Sequence, residues 1–124
     1  MAIKLDHTIV PARDKLASAE FFADMFGLTV KPGYFVQVRI NDELTLDFSE
    51  HAGPVQSNHY AFHVTDAEFD EVLNRVKDRG IRYGSGPRSH TDGQLNTRRG
   101  GRGFYFQDPN GHMLELMTVP ETGR

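Results

Sequence analysis

The sequence predicts an α+β fold made of two βαβββ modules, at about residues 1–50 and 57–120 of a single domain spanning 1–124. Three observations predict it. A 52-residue shift lays Asp6-His7-Thr8-Ile9-Val10 over Asn58-His59-Tyr60-Ala61-Phe62. Each of these segments reads as a strand and is followed by an amphipathic helical pattern that runs to a glycine. Each half then carries a later strand with one central carboxylate, Leu44-Thr45-Leu46-Asp47-Phe48 in the first and Met113-Leu114-Glu115-Leu116-Met117 in the second.

The elements follow in order. Lys4 to Ala12 carries the β-branched run Thr8-Ile9-Val10 and reads as a strand. Apolar residues at 16, 19, 22, 23 and 26 have helical spacing, and Gly27 is the stop. Tyr34 to Ile40 alternates as a half-buried strand, Asn41-Asp42 is turn chemistry, and Leu44 to Phe48 completes the first half. Ser49 to Ser57 connects the halves, and Asn58 to Val64 is the next strand. Thr65-Asp66-Ala67-Glu68 has the spacing of a capping box. Phe69, Val72, Leu73 and Val76 continue that helix toward Gly80. Ile81 to Tyr83 is a short strand and Gly84 to Gly101 a long polar loop. Gly103 to Gln107 and His112 to Thr118 are strands joined by the turn Asp108-Pro109-Asn110-Gly111.

Bulk composition narrows the function classes. Hydrophobic residues make up 38%, charged residues 25%, and the net charge is −3. This is the balance of an ordinary globular protein and gives no global attraction to nucleic acid or anionic membrane. No apolar run approaches 18 residues, and residues 1–6 have no long apolar stretch, so a cytoplasmic location is the expectation. Cysteine is absent, which excludes disulfides, thiolate ligands and a cysteine nucleophile.

Strand alternation sorts side chains by face. If each helix covers the apolar face of its half, the opposite faces line a concavity. That concavity holds His7, Phe35, Gln37, Arg39, Asp47, His59, His63, Tyr105 and Glu115. Imidazoles with one or two carboxylates suit Zn, Mn, Ni, Co or Fe(II), and open coordination positions let such an ion take substrate oxygens directly. Arg88, Arg98, Arg99 and Arg102 gather in the long loop, either as a lid that recruits an anionic substrate or as a solvated segment. His112, after a turn glycine, reads as structural. Met113 and Met117 read as pocket wall.

Four segments carry a family resemblance. They are Leu5-Asp6-His7-Thr8-Ile9-Val10, Phe21-Phe22-Ala23-Asp24-Met25-Phe26-Gly27-Leu28, Asn58-His59-Tyr60-Ala61-Phe62-His63-Val64, and the run from Gly103 through Asp108-Pro109-Asn110-Gly111 to Leu116. Through them the chain resembles the vicinal oxygen chelate superfamily, which includes glyoxalases, bleomycin-resistance proteins and extradiol dioxygenases. The resemblance implies that the βαβββ modules pair into a curled mixed sheet around a cleft, with helices on the outer face, often within a homodimer. It implies His7, His59 and Glu115 as ligands of a divalent metal ion. Asp47 stands where glyoxalase I enzymes carry a fourth ligand, so it is either that ligand or an acceptor for an imidazole N–H.

The His-Tyr-Ala-Phe and Gly-Phe-Tyr-Phe runs look most like fosfomycin-resistance transferases, although Ile9 and Gly103 stand where those enzymes carry hydroxyl residues. Extradiol dioxygenases suggest His63 as an acid/base and Tyr105 as a substrate donor. The expectation is a small metal-dependent enzyme that chelates an oxygen-rich small-molecule substrate: a lyase, isomerase, transferase or dioxygenase. The alternative is a protein that sequesters a drug or metabolite without turnover.

Overall fold

The computed structural model describes residues 2–121, and the chain divides into two compact units between Gln56 and Ser57. The first unit runs β1 (His7–Ala12), α1 (Lys15–Phe26), β2 (Val30–Lys31), β3 (Val36–Arg39) and β4 (Thr45–Glu50). Its strands form one sheet in the order β1-β4-β3-β2, parallel between β1 and β4 and antiparallel elsewhere. The second unit runs β5 (His59–His63), α2 (Asp66–Asp78), β6 (Tyr83–Gly84), β7 (Gly103–Gln107) and β8 (Met113–Met117). Its sheet has the order β5-β8-β7-β6 with the same parallel and antiparallel pattern. The α+β class and the repeated βαβββ order are therefore met, as two four-stranded mixed sheets that do not close into a barrel.

Local chemistry explains the helix ends. Asp14 caps α1, its side chain accepting from the Ala17 N–H at 3.0 Å, and Gly27 ends it in the left-handed region at φ 70°. Ala19, Phe22, Ala23 and Met25 form its buried stripe, whereas Leu16, the first residue of the apolar pattern, stays 45% exposed. Thr65 and Glu68 make the full capping box of α2, and Phe69, Val72, Leu73 and Val76 are its buried face. Phe69 packs edge-on against Phe104 of β7 at 5.1 Å between ring centroids, which anchors helix to sheet.

Some boundaries differ from the sequence expectation. The strand expected over Tyr34 to Ile40 shortens to β3, and β2 adds a partner too short to show periodicity. The strand expected at Ile81 to Tyr83 forms as the two-residue β6, sharing only Tyr83 with the expectation. The loop after β6 contains a 3-10 turn at Arg98–Gly100 and a bridge between Asn96 and Gly103. His112 is fully buried and accepts the Asn58 N–H at Nδ1, as a structural histidine should. Among the described residues no helix is long and apolar enough to cross a membrane.

Candidate functional site

The repeat is visible in strand register. β1 and β4 place His7 opposite Thr45 and Ile9 opposite Asp47. β5 and β8 place His59 opposite Met113 and Ala61 opposite Glu115. In each unit, then, a histidine and a carboxylate sit on adjacent parallel strands offset by two residues. Two residues is the period at which side chains return to the same face. The antiparallel neighbour also corresponds: Gln37 lies opposite Asp47, and Tyr105 lies opposite Glu115.

The two units fill this frame differently. In the second, His59 Nε2 lies 2.9 Å from Glu115 Oε1. In the first, Asp47 accepts from Gln37 Nε2 at 3.0 Å, while His7 Nδ1 donates to Asp6 at 2.8 Å. The Asp6 hydrogen bond is the main reason the His7 pKa is raised, with the Asp47 charge adding to it. Aspartate is one methylene shorter than glutamate, and here one of its oxygens accepts from the facing glutamine. Among the described residues no group of three or more His, Asp or Glu side chains is placed to hold an ion. The best placed donors are His59 and Glu115. Two ligands about 2.1 Å from one ion, at an octahedral right angle, stand about 3 Å apart. The observed separation matches that spacing, and an imidazole with a carboxylate is a donor set suited to a first-row divalent ion.

His59, Glu115 and Tyr105 line a cavity of about 400 Å³ with Ala61, Met117, Arg98, Arg99 and Glu121. Tyr105 is nearly buried, and its ring lies 5.9 Å from that of His59. Arg98 donates to the Tyr105 hydroxyl oxygen and lies over the ring at 5.4 Å. Arginine has no acceptor, so the tyrosine O–H is directed away from it. Burial raises the Tyr105 pKa, Arg98 opposes this, and Glu115 reinforces it.

The four loop arginines separate into different roles. Arg98 and Arg99 line the cavity, whereas Arg88 and Arg102 do not. Arg102 pairs with Asp70 at 2.8 Å and Asp66 at 3.0 Å and covers the Phe69 ring at 4.4 Å. It fastens the loop to α2. His63 is exposed, does not line the cavity, and donates from Nε2 to the Thr118 carbonyl at 3.2 Å. Met117 forms cavity wall and Met113 does not. The Arg98–Tyr105 contact and the presence of Glu121 were not read from sequence. The first had a weak signal in the clustering of arginines just before β7, and the second had none.

Comparison with known proteins agrees with this fold. The profile of the Glyoxalase/Bleomycin resistance protein/Dioxygenase superfamily matches residues 4–116. The solved structure of oxidase ChaP-H1 is 47% identical with a TM-score of 0.93, over 98% of this chain and 100% of that one. Oxidase ChaP-H2 is 44% identical with a TM-score of 0.91, over 97% of this chain and 96% of that one. A glutathione transferase, FosA, of Serratia marcescens is 27% identical across 94% of this chain and 81% of its own length.

Proposed function

Since the chain belongs to the glyoxalase/bleomycin resistance protein/dioxygenase superfamily, we propose that it is a metal-dependent enzyme that oxidises a small, oxygen-rich substrate. The observation that carries this reading is the His59–Glu115 pair, 2.9 Å apart in the wall of a cavity of about 400 Å³. In this reading His59 and Glu115 hold the ion, and His7 is carried as a further ligand on the strength of the sequence alone. A bound Fe(II) or Mn(II) would supply Lewis acidity toward two neighbouring substrate oxygens and, for iron, a path for electrons to dioxygen. Oxidation is favoured over isomerisation or thiol transfer because ChaP-H1 and ChaP-H2, both above 40% identity over nearly the full chain, are named oxidases.

The chain's own residues then have definite tasks. Tyr105 presents an O–H held in place by Arg98 from behind, ready to hydrogen-bond a substrate oxygen as charge develops there. Ala61 leaves room beside the pair, and Met117 gives an apolar wall. Asp47 supports the first unit through Gln37 rather than acting as a ligand. His63, held to the Thr118 carbonyl, serves the fold and not the chemistry. A homodimer belongs to the same reading, supported by the exposed apolar residues Ile3, Leu5, Ile9 and Tyr34 of the first unit.

The test is a melting-temperature screen of metal-stripped protein with Fe(II) and Mn(II), under anaerobic conditions for iron, followed by oxygen uptake with catechols and hydroxyquinones. Binding to the native state alone stabilises by about 2.7 kcal/mol at a hundredfold excess over Kd. A clear rise in melting temperature is expected, and it should be absent in His59→Ala. No rise with either metal contradicts the reading. A rise without oxygen uptake shifts it toward sequestration.

A further inference from the structure

We propose that Arg99 is the anion-recognising residue of the cavity and that the substrate carries an organic oxyanion, a carboxylate or phenolate type group, that Arg99 meets. This rests on the cavity being the substrate site, as proposed above.

Arg99 is the only non-glycine residue with positive φ among the described residues, at φ 56° and ψ 25°. This left-handed region is disfavoured for a side-chain-bearing residue and favours glycine. Gly100 and Gly101 follow immediately, so the turn is already glycine-rich, yet position 99 keeps a long cationic side chain. Outliers of this kind persist where their surroundings hold them, and they concentrate at ligand clamps. Here the surroundings are specific. Asn96 accepts the Arg98 N–H at 3.2 Å through Oδ1 and donates to the Ser85 carbonyl at 3.1 Å. Thr97 accepts the Gly100 N–H at 3.2 Å, which closes the turn. The turn thus presents Arg99 to the cavity it lines.

Arg98 is engaged with Tyr105, and Glu115 with His59. The Arg99 guanidinium has no ion pair or side-chain hydrogen bond among the described residues, and the nearby carboxylate of Glu121 is not paired with it. Its residue is exposed. A planar guanidinium left free in the lining of a cavity suits a bidentate oxyanion. Glu121 adds an opposing charge that disfavours acceptance of just any anion and makes the match depend on position.

The test uses two probes of equal size that share vicinal hydroxyls and differ by one charge, 3,4-dihydroxybenzoate and 3,4-dihydroxybenzamide. Each is titrated calorimetrically into metal-free and Mn(II)-loaded wild type, Arg99→Lys and Arg99→Gly. Wild type is expected to bind the benzoate about 10-fold more tightly, a charge-assisted contact of ordinary strength. In Arg99→Gly the preference should fall below about 2-fold, and in Arg99→Lys it should lie between. Arg99→Gly should also melt about 2 to 4 °C higher, because the strained φ is relieved. Mn(II) affinity, measured separately, should be the same in all three proteins. Equal affinity of wild type for both probes, no measurable binding of either, or an unchanged preference in Arg99→Gly overturns the inference. Failure of wild type to bind Mn(II) overturns the metal reading instead, and the charge preference is then read on the metal-free protein.

Discussion

Tyr105 lies directly opposite Glu115 across β7 and β8, and Gln37 lies directly opposite Asp47 across β3 and β4. The two units share one frame and differ in what faces the carboxylate. Glutamine donates to Asp47 and holds it within its own sheet. Tyrosine is itself held by Arg98, so Glu115 stays close to both His59 and the cavity. One half of the repeat therefore brings a histidine and a carboxylate together, and the other has its carboxylate bonded to a glutamine.

Gly103 bears on how that arrangement is maintained. A Cβ there would stand 2.8 Å from Asn96 Oδ1 and 2.9 Å from its Nδ2, so the amide that organises the arginine turn would have to move. Gly103→Ser should lose the Asn96 bonds to Ser85 and Arg98 and destabilise the protein by about 1 to 3 kcal/mol in urea unfolding. Combined with Asn96→Ala, the serine should add much less than it does alone, because the clash is gone. Full additivity would contradict this account.

Arg102 is predicted to matter for stability rather than for ligand. Its two aspartate contacts are partly exposed and individually weak, but its stem and guanidinium also cover Phe69. Arg102→Ala should cost about 1 to 2 kcal/mol of unfolding free energy, with part of the loss disappearing in high salt. Benzoate affinity should change little. A variant with wild-type stability and impaired anion binding would reverse the assignment.

Asp92 sets the acid response of the loop. It accepts from the Ser85 hydroxyl at 2.6 Å, the Ser85 N–H at 3.0 Å and the Gln94 N–H at 2.9 Å. These bonds, the Ser85 hydroxyl foremost, lower its pKa below the ordinary value of 3.8. A carboxyl whose folded pKa is depressed contributes stability that is complete above the unfolded value and is lost as pH falls through the folded one. The amide chemical shifts of Ser85 and Gln94 should titrate with a midpoint below 3.8, and Asp92→Asn should remove that titration. A midpoint at or above 3.8 would show that the bonds do not form in solution.

Much of the frame was legible in the sequence because its signals are local. Thr65 and Glu68 announce a helix start within four residues, and the Asp108 to Gly111 turn fixes the hairpin between β7 and β8. The pairing of His59 with Glu115 follows from alternation once the repeat is seen. What alternation cannot report is side-chain competition. Nothing local says that Gln37 will take Asp47, that the Thr118 carbonyl will take His63, or that Arg102 will reach back to Asp66 and Asp70 across more than thirty residues. The loop after β6 was opaque for a related reason. Its order comes from Asp92 and Asn96 bonding backbone groups rather than from any hydrophobic period.

The central claim is that Glu115, with His59, is the carboxylate that holds the metal. Calorimetric titration of Mn(II) into stripped wild type, Glu115→Ala and Asp47→Ala tests it most directly. The account predicts measurable affinity in wild type, none in Glu115→Ala, and a loss of no more than about 10- to 100-fold in Asp47→Ala, as for a group that supports the site without ligating. Equal loss in the two variants would make Asp47 a full ligand, and wild-type affinity in Glu115→Ala would contradict the claim outright.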